Sequence, residues 1–164
     1  MSEPTDWAAL GAKVQEDATS EDARVAKEQE AAKQAAAQHL QDRRIQQQRA
    51  QQALETLKLR CVPIVSAFNM GVGDQILKLS IQDGGSDKFS VTKGHGIPLL
   101  SFRAYEGNIH VDLQDSPRAT AGGTDQYGVD PEGRLTIRNG AGFIDAERIV
   151  EPKIKLLIQT KYRV

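Results

Sequence analysis

A chain of 164 residues with a formal net charge of -1 is long enough for one ordinary domain plus an appendage and too short for two full domains. Its single cysteine, Cys61, excludes an internal disulfide and a cysteine-based zinc site. There is no charged-then-apolar leader and no apolar run near the roughly 18 residues of a membrane span, so a soluble, cytoplasmic protein with no membrane contact is expected.

The small net charge hides a segregation. Met1 to Asp22 carries Glu3, Asp6, Glu16, Asp17, Glu21 and Asp22 against Lys13 alone. The stretch to Arg60 reverses the sign through Arg24, Lys27, Lys33, Arg43, Arg44, Arg49, Lys58 and Arg60. An acidic arm beside a basic segment is a statement about association rather than fold. Residues 1–19 read as an acidic mobile arm in which Asp6 can cap a short helix. Trp7, Leu10 and Val14 would share one face of it at i, i+3, i+7. That is the anchor spacing of helices that lie in a partner's groove, and Trp7 is the chain's single tryptophan. The alternative is that Trp7 folds back onto the protein's own core.

Thr19-Ser20-Glu21-Asp22 has the chemistry of a helix start, a hydroxyl cap followed by acids that suit the helix dipole. Ala, Glu, Gln, Lys and Arg sustain the helix from there, and the spacing predicts one long helix over 20–69. Its second half carries an apolar stripe of Ala50, Ala53, Leu54, Leu57, Cys61, Ile64, Val65 and Phe68. The first half, rich in glutamine, offers mostly alanine and Leu40. The helix is therefore expected to dock by its C-terminal half and project by its N-terminal half. A heptad frame through Leu40, Gln47, Leu54, Cys61 and Phe68 gives a seam that is good only after Ala50. The rod is coiled-coil-like without being a strong homomeric zipper. Pro63 predicts a kink, and because the stripe stays in phase to Phe68, residues 61–68 are read as helix rather than strand.

After Gly73 the apolar period changes from 3.6 to 2. Leu77, Leu79 and Ile81 mark one strand, Phe89 and Val91 a second, and Leu100, Phe102 and Ala104 a third. Ile109, Val111 and Leu113 mark a fourth, with short turns between all of them. A polar loop is read over 115–132, a fifth strand at Leu135 and Ile137, and a helical turn or two over 143–150. Ile154, Leu156 and Ile158 read as a sixth strand. The fold class is α+β: a kinked N-terminal helix on a twisted, mainly antiparallel sheet of about six strands, with 74–164 as the sheet domain.

If the alternation holds, the outward sheet face displays Lys78, Lys88, Arg103, Arg134, Arg138, Lys153, Lys155, Lys161 and Arg163, with Asp112 as its acid. A single-sign face suits a polyanion, although exposed sheets use the same residues for solubility and edge protection. Only Tyr105 offers a stacking ring among them. His110 and Asp112 lie two apart on one strand, hence on one face, as a metal pair or an oriented base would. A third member would have to come from His95 or the loop at Asp115, and a surface hydrogen bond is the commoner role. The glycine loops at 71–74 and 93–96 lack the context of a phosphate cradle. Cys61 belongs to the apolar stripe and His39 to the polar half of the helix.

These readings rank a non-enzymatic interaction or assembly subunit first, with no cofactor, binding a protein partner or a second copy through residues 1–50. Trp7, Leu10, Val14 and Leu40 are its contact residues. A nucleic-acid or polyanion module on the basic sheet face comes second. A small enzyme or ligand-binding domain around His95, His110 and Asp112 comes third.

Overall fold

A computed structural model describes residues 6–94, 96, 98–114, 124–137 and 142–162. The chain divides into two units, 1–42 and 43–164, and its longest element, helix α1 (Trp7–Gly71), contributes to both.

In the first unit the described residues from Trp7 onward are helical. The Asp6 carboxylate accepts hydrogen bonds from the backbone N–H groups of Ala8 (3.1 Å) and Ala9 (3.2 Å), satisfying donors that the first helical turn leaves unpaired. The helix therefore begins at Trp7, not at Thr19. The Thr19 hydroxyl bonds backward to the carbonyls of Gln15 and Glu16, so the residue sits as a mid-helix threonine instead of a cap. Glu21, Arg24 and Glu28 form exposed i, i+3 and i, i+4 pairs along the same helix.

In the second unit six strands form one antiparallel meander in the order β1-β2-β3-β4-β5-β6. They are β1 (Leu79–Asp83), β2 (Lys88–Lys93), β3 (Pro98–Tyr105), β4 (Asn108–Leu113), β5 (Asp125–Val129) and β6 (Leu135–Thr136). Directly opposed residues share a face, and the register aligns Ile81 with Val91, Val91 with Leu100, Phe89 with Phe102, and Phe102 with Val111. Phe89 and Phe102 stack at 4.6 Å between ring centroids. This apolar face is covered by residues 43–71 of α1 and by α2 (Ala146–Tyr162), giving two layers around one core. Ala50, Ala53, Leu54, Leu57, Cys61 and Val65 are the buried residues of α1, and Pro63 lies inside the helix, which continues to Gly71.

The helix is fastened to the sheet at both ends of their contact by amide side chains. Near the C-terminal end, Asn69 donates to the Leu79 carbonyl (2.7 Å) and accepts from the Leu79 N–H (2.8 Å), occupying the free side of edge strand β1. Near the other end, the Gln47 side chain donates to the Ala104 carbonyl (3.1 Å) and accepts from the Gly107 N–H (3.3 Å) at the β3–β4 turn. That turn is Glu106-Gly107, with both residues at positive φ (50° and 77°), as a two-residue type I′ hairpin demands.

Four further expectations are corrected. The segment carrying Ile154, Leu156 and Ile158 is not a strand but part of α2, in which Ile149, Val150, Ile154 and Leu157 are buried at helical spacing and Leu156 faces outward, 40% exposed. The span 115–132 is not loop throughout. Residues 125–129 pair with β4 as β5, with Tyr127 opposite Ile109. Strand β6 is only two residues long and excludes Ile137, while Phe143 bridges Thr136 instead of starting a helix.

Candidate functional site

In the first unit, Trp7, Leu10 and Val14 occupy one face of α1 and are 75%, 53% and 64% exposed, with Leu40 further along at 59%. Two turns of helix thus present a large aromatic and two aliphatic side chains to solvent. Glu16, Asp17, Glu21 and Asp22 follow in the next turns.

In the second unit the expected basic sheet face is not assembled as a whole. Lys153, Lys155 and Lys161 lie on α2. Lys153 pairs with Asp125 of β5, and the Lys161 carbonyl accepts from Lys93 Nζ (3.1 Å), which also sits 4.2 Å above the Tyr162 ring. Arg134 is held by Asp130 (2.7 Å) and Glu132 (3.0 Å), with its guanidinium 4.0 Å from the Phe143 ring centre. Desolvation pushes the Asp130 carboxyl up, but the backbone N–H and side chain of Arg134 outweigh it and hold that carboxyl below its ordinary range. Lys78 precedes β1 and lies 3.8 Å from Asp74. Arg138, Arg163, His95 and Asp115 lie outside the described residues.

What remains of that face is Lys88 and Arg103, directly opposed across β2 and β3, with Arg103 in turn opposite His110 of β4. These two cations line a cleft of about 610 Å³ together with Arg43, Gln46 and Gln47 of α1, Asp87, and Ala104-Tyr105-Glu106. Among the described residues, Arg43, Lys88 and Arg103 have no ion-pair partner. The Asp87 carboxylate is instead held by the amides of Gln47 (3.1 Å) and Gln51 (2.5 Å). Tyr105 is 55% exposed, with its ring in a T-shaped pair with that of His110, centroids 6.0 Å apart. The sequence signal for Lys88, Arg103 and Tyr105 was the strand alternation. Arg43 and the two glutamines gave none, because their place at the cleft depends on where α1 crosses the β3–β4 hairpin.

Among the described residues, His110 and Asp112 gain no third ligand. The Asp112 carboxylate accepts from the Thr124 hydroxyl (2.5 Å), His110 pairs with the ring of Tyr105, and no group of three or more His, Cys, Asp or Glu side chains among the described residues is disposed to hold a metal ion. Cys61 is fully buried, and burial pushes its thiol up to about 12, the opposite of what a nucleophile needs. A second, apolar depression of about 420 Å³ runs between α1 and α2, lined by Ile64, Ile154 and Ile158 with Glu151, Lys155 and Gln159 at its margin. No helix among the described residues is long and apolar enough to cross a membrane. No protein-family model, no curated protein and no solved structure matches this chain.

Proposed function

We propose that the protein is a non-enzymatic, cytoplasmic assembly subunit that seats its N-terminal helix in the apolar groove of a partner protein. The observation that carries this reading is the exposure of Trp7, Leu10 and Val14 on one helical face. A large aromatic left in water is costly, and tryptophan is the residue most often found at the energetic centre of an interface. Burying an aromatic of about 150–250 Å² contributes on the order of 4 kcal/mol at about 25 cal/mol per Å². Leu40 extends the contact along the helix, and the acids at 16, 17, 21 and 22 suit a groove with a basic rim. The reading does not rest on the sheet domain having any chemistry of its own.

Trp7 is also the built-in reporter, because the chain has no other tryptophan. The free protein is expected to emit as a solvent-exposed indole and to shift to the blue when it enters its native assembly. The triple variant Trp7→Ala/Leu10→Ala/Val14→Ala should lose that assembly while its sheet domain unfolds at the same urea concentration as before. A triple variant that keeps every partner and the same assembly mass would refute the proposal.

A further inference from the structure

The cleft at Arg43, Lys88, Arg103 and Tyr105 lies in the second unit, shares no residue with the Trp7 face and carries a separate conclusion. Three cations are delivered to it by three different elements: α1, the start of β2, and the second half of β3. Lys88 and Arg103 are neighbours across the ladder, and like charges directly opposed across a sheet repel unless an anion lies between or beside them. Several cations elsewhere in this domain are paired internally, Lys58 with Asp83, Arg60 with Glu147, Arg134 with Asp130 and Lys153 with Asp125. Here the Asp87 carboxylate is hydrogen-bonded by the amides of Gln47 and Gln51. With Arg43, Lys88 and Arg103 set against Asp87 and Glu106, the lining keeps a formal excess of positive charge.

The second observation is the ring. Tyr105 lines the same cleft, more than half exposed, with its ring in a T-shaped pair with His110. A bare phosphate would use the cations and ignore the ring, and it would leave most of a cavity of about 610 Å³ unfilled. A ligand that couples an anionic group to a flat aromatic system uses both, since bases stack on exposed aromatic side chains while Arg and Lys hold phosphate oxygens. We infer that this cleft binds a nucleoside monophosphate unit, its phosphate held by Arg43, Lys88 and Arg103 and its base stacked on Tyr105. The same unit exists as a free mononucleotide and as one link of a single strand, and the two sources separate by experiment.

Uridine monophosphate, inorganic phosphate and an oligouridylate of about ten nucleotides are titrated into the isotopically labelled full chain, following backbone amide shifts. The mononucleotide is expected to give saturable shifts centred on Arg43, Lys88 and residues 103–106. Arg103→Gln and Lys88→Gln, changes that relieve the repulsion across the ladder and should not lower the unfolding midpoint, are each expected to weaken binding about tenfold. Tyr105→Ala should weaken the mononucleotide about tenfold while leaving the response to inorganic phosphate as it was. That split is one a merely structural role for Tyr105 does not produce. If the oligonucleotide binds far more tightly than the mononucleotide and with a steep salt dependence, the natural source is a single strand. Equal affinities identify a free nucleotide. The inference is overturned if no saturable shift appears at these residues up to about 5 mM mononucleotide, if the three variants bind like the native chain, or if an acidic peptide occupies the cleft and the nucleotide does not.

Discussion

Asn69 offers the sharpest test of how the helix is held to the sheet. Its amide makes two hydrogen bonds, at 2.7 and 2.8 Å, to the carbonyl and N–H of one residue, Leu79. Leu79 is only 2% exposed and lies in edge strand β1. Replacing Asn69 by Ala leaves a donor and an acceptor without their partners. A neutral hydrogen bond is worth about 1 kcal/mol net, and a partner left unsatisfied costs about 1–3 kcal/mol. Because Asn69 itself is only half-buried, water reaches part of the gap, and the low end of that range applies at each group. The expected loss is about 2 kcal/mol, read as a lower urea midpoint with an unchanged slope. Asn69→Asp separates the two bonds. A carboxylate still accepts from the Leu79 N–H, but it confronts the Leu79 carbonyl instead of donating to it. The folded state then favours the protonated carboxyl, whose pKa rises above its unfolded value of about 3.9. The penalty is therefore full at neutral pH and shrinks as pH falls through the raised folded pKa. A cost below about 0.5 kcal/mol for Asn69→Ala, or a pH-independent cost for Asn69→Asp, would refute this account of the edge.

Other outcomes follow from the turn and the core. Glu106 sits at φ 50° in the first central position of a type I′ turn, where asparagine is at ease and glutamate is not. Glu106→Asn should raise stability by about 0.5–1 kcal/mol in urea unfolding. Gly107 has φ 77°, and an added Cβ would lie 3.1 Å from the Gln46 Cβ. Gly107→Ala should therefore cost about 1–2 kcal/mol and disturb the Gln47 bond on the same turn, seen as loss of hydrogen-exchange protection at the Gly107 amide. Cys61 has its thiol pushed up to about 12 by burial, from an ordinary value of 9.0. The unfolded chain releases that proton first, so stability is intact below pH 9 and falls as pH rises toward 12, by about 1.4 kcal/mol per unit. Cys61→Ala should flatten the slope between pH 9 and 10 in urea midpoints, leaving the later loss contributed by Tyr127 and Tyr162, whose hydroxyls burial also pushes up. A native chain with no alkaline slope in that window would contradict the burial of Cys61.

How far the fold is legible depends on whether a residue's role is set by its neighbours in sequence. Six of the eight stripe positions predicted on the helix are buried, and the other two, Ile64 and Phe68, pack partly buried against the core. The strand alternation likewise put Phe89, Val91, Leu100, Phe102, Ile109 and Val111 on the inner face. The misread segment shows the limit. In a run of five residues, positions i and i+4 share a face under both the strand and the helix period. Ile154 and Ile158 therefore fit either, and only the choice between Leu156 and Leu157 decides. Leu157 is the buried one, a choice visible in advance only by extending the window back to Ile149 and Val150. Strand β5 was illegible for a different reason. Its sequence, Asp-Gln-Tyr-Gly-Val, has too few apolar residues to show a period, and its pairing with β4 supplies what its composition lacks.

The glutamines of α1 carry this distinction furthest. By hydropathy, Gln46, Gln47, Gln48, Gln51 and Gln52 mark a solvated helix face, and the sequence gives no reason to separate them. Gln47 differs from its neighbours because the unpaired carbonyl of Ala104 and the N–H of Gly107 come within reach of its amide. A buried backbone group needs a partner more than a surface amide needs water. The same amide, together with that of Gln51, occupies the Asp87 carboxylate. That engagement fixes where the Asp87 carboxylate sits in the lining it shares with Lys88 and Arg103. A side chain that reads as solvent-facing thus fixes the hairpin and positions a carboxylate of the cleft at once. Gln47→Leu tests the link directly, because an apolar side chain there cannot donate to Ala104 or Asp87 and brings no charge of its own into the cleft. Asp87 should then turn toward Lys88, and the cleft should lose affinity for a phosphate-bearing probe even though none of its cations has been changed. Unaltered probe affinity in that variant would show that the cleft does not depend on the clamp.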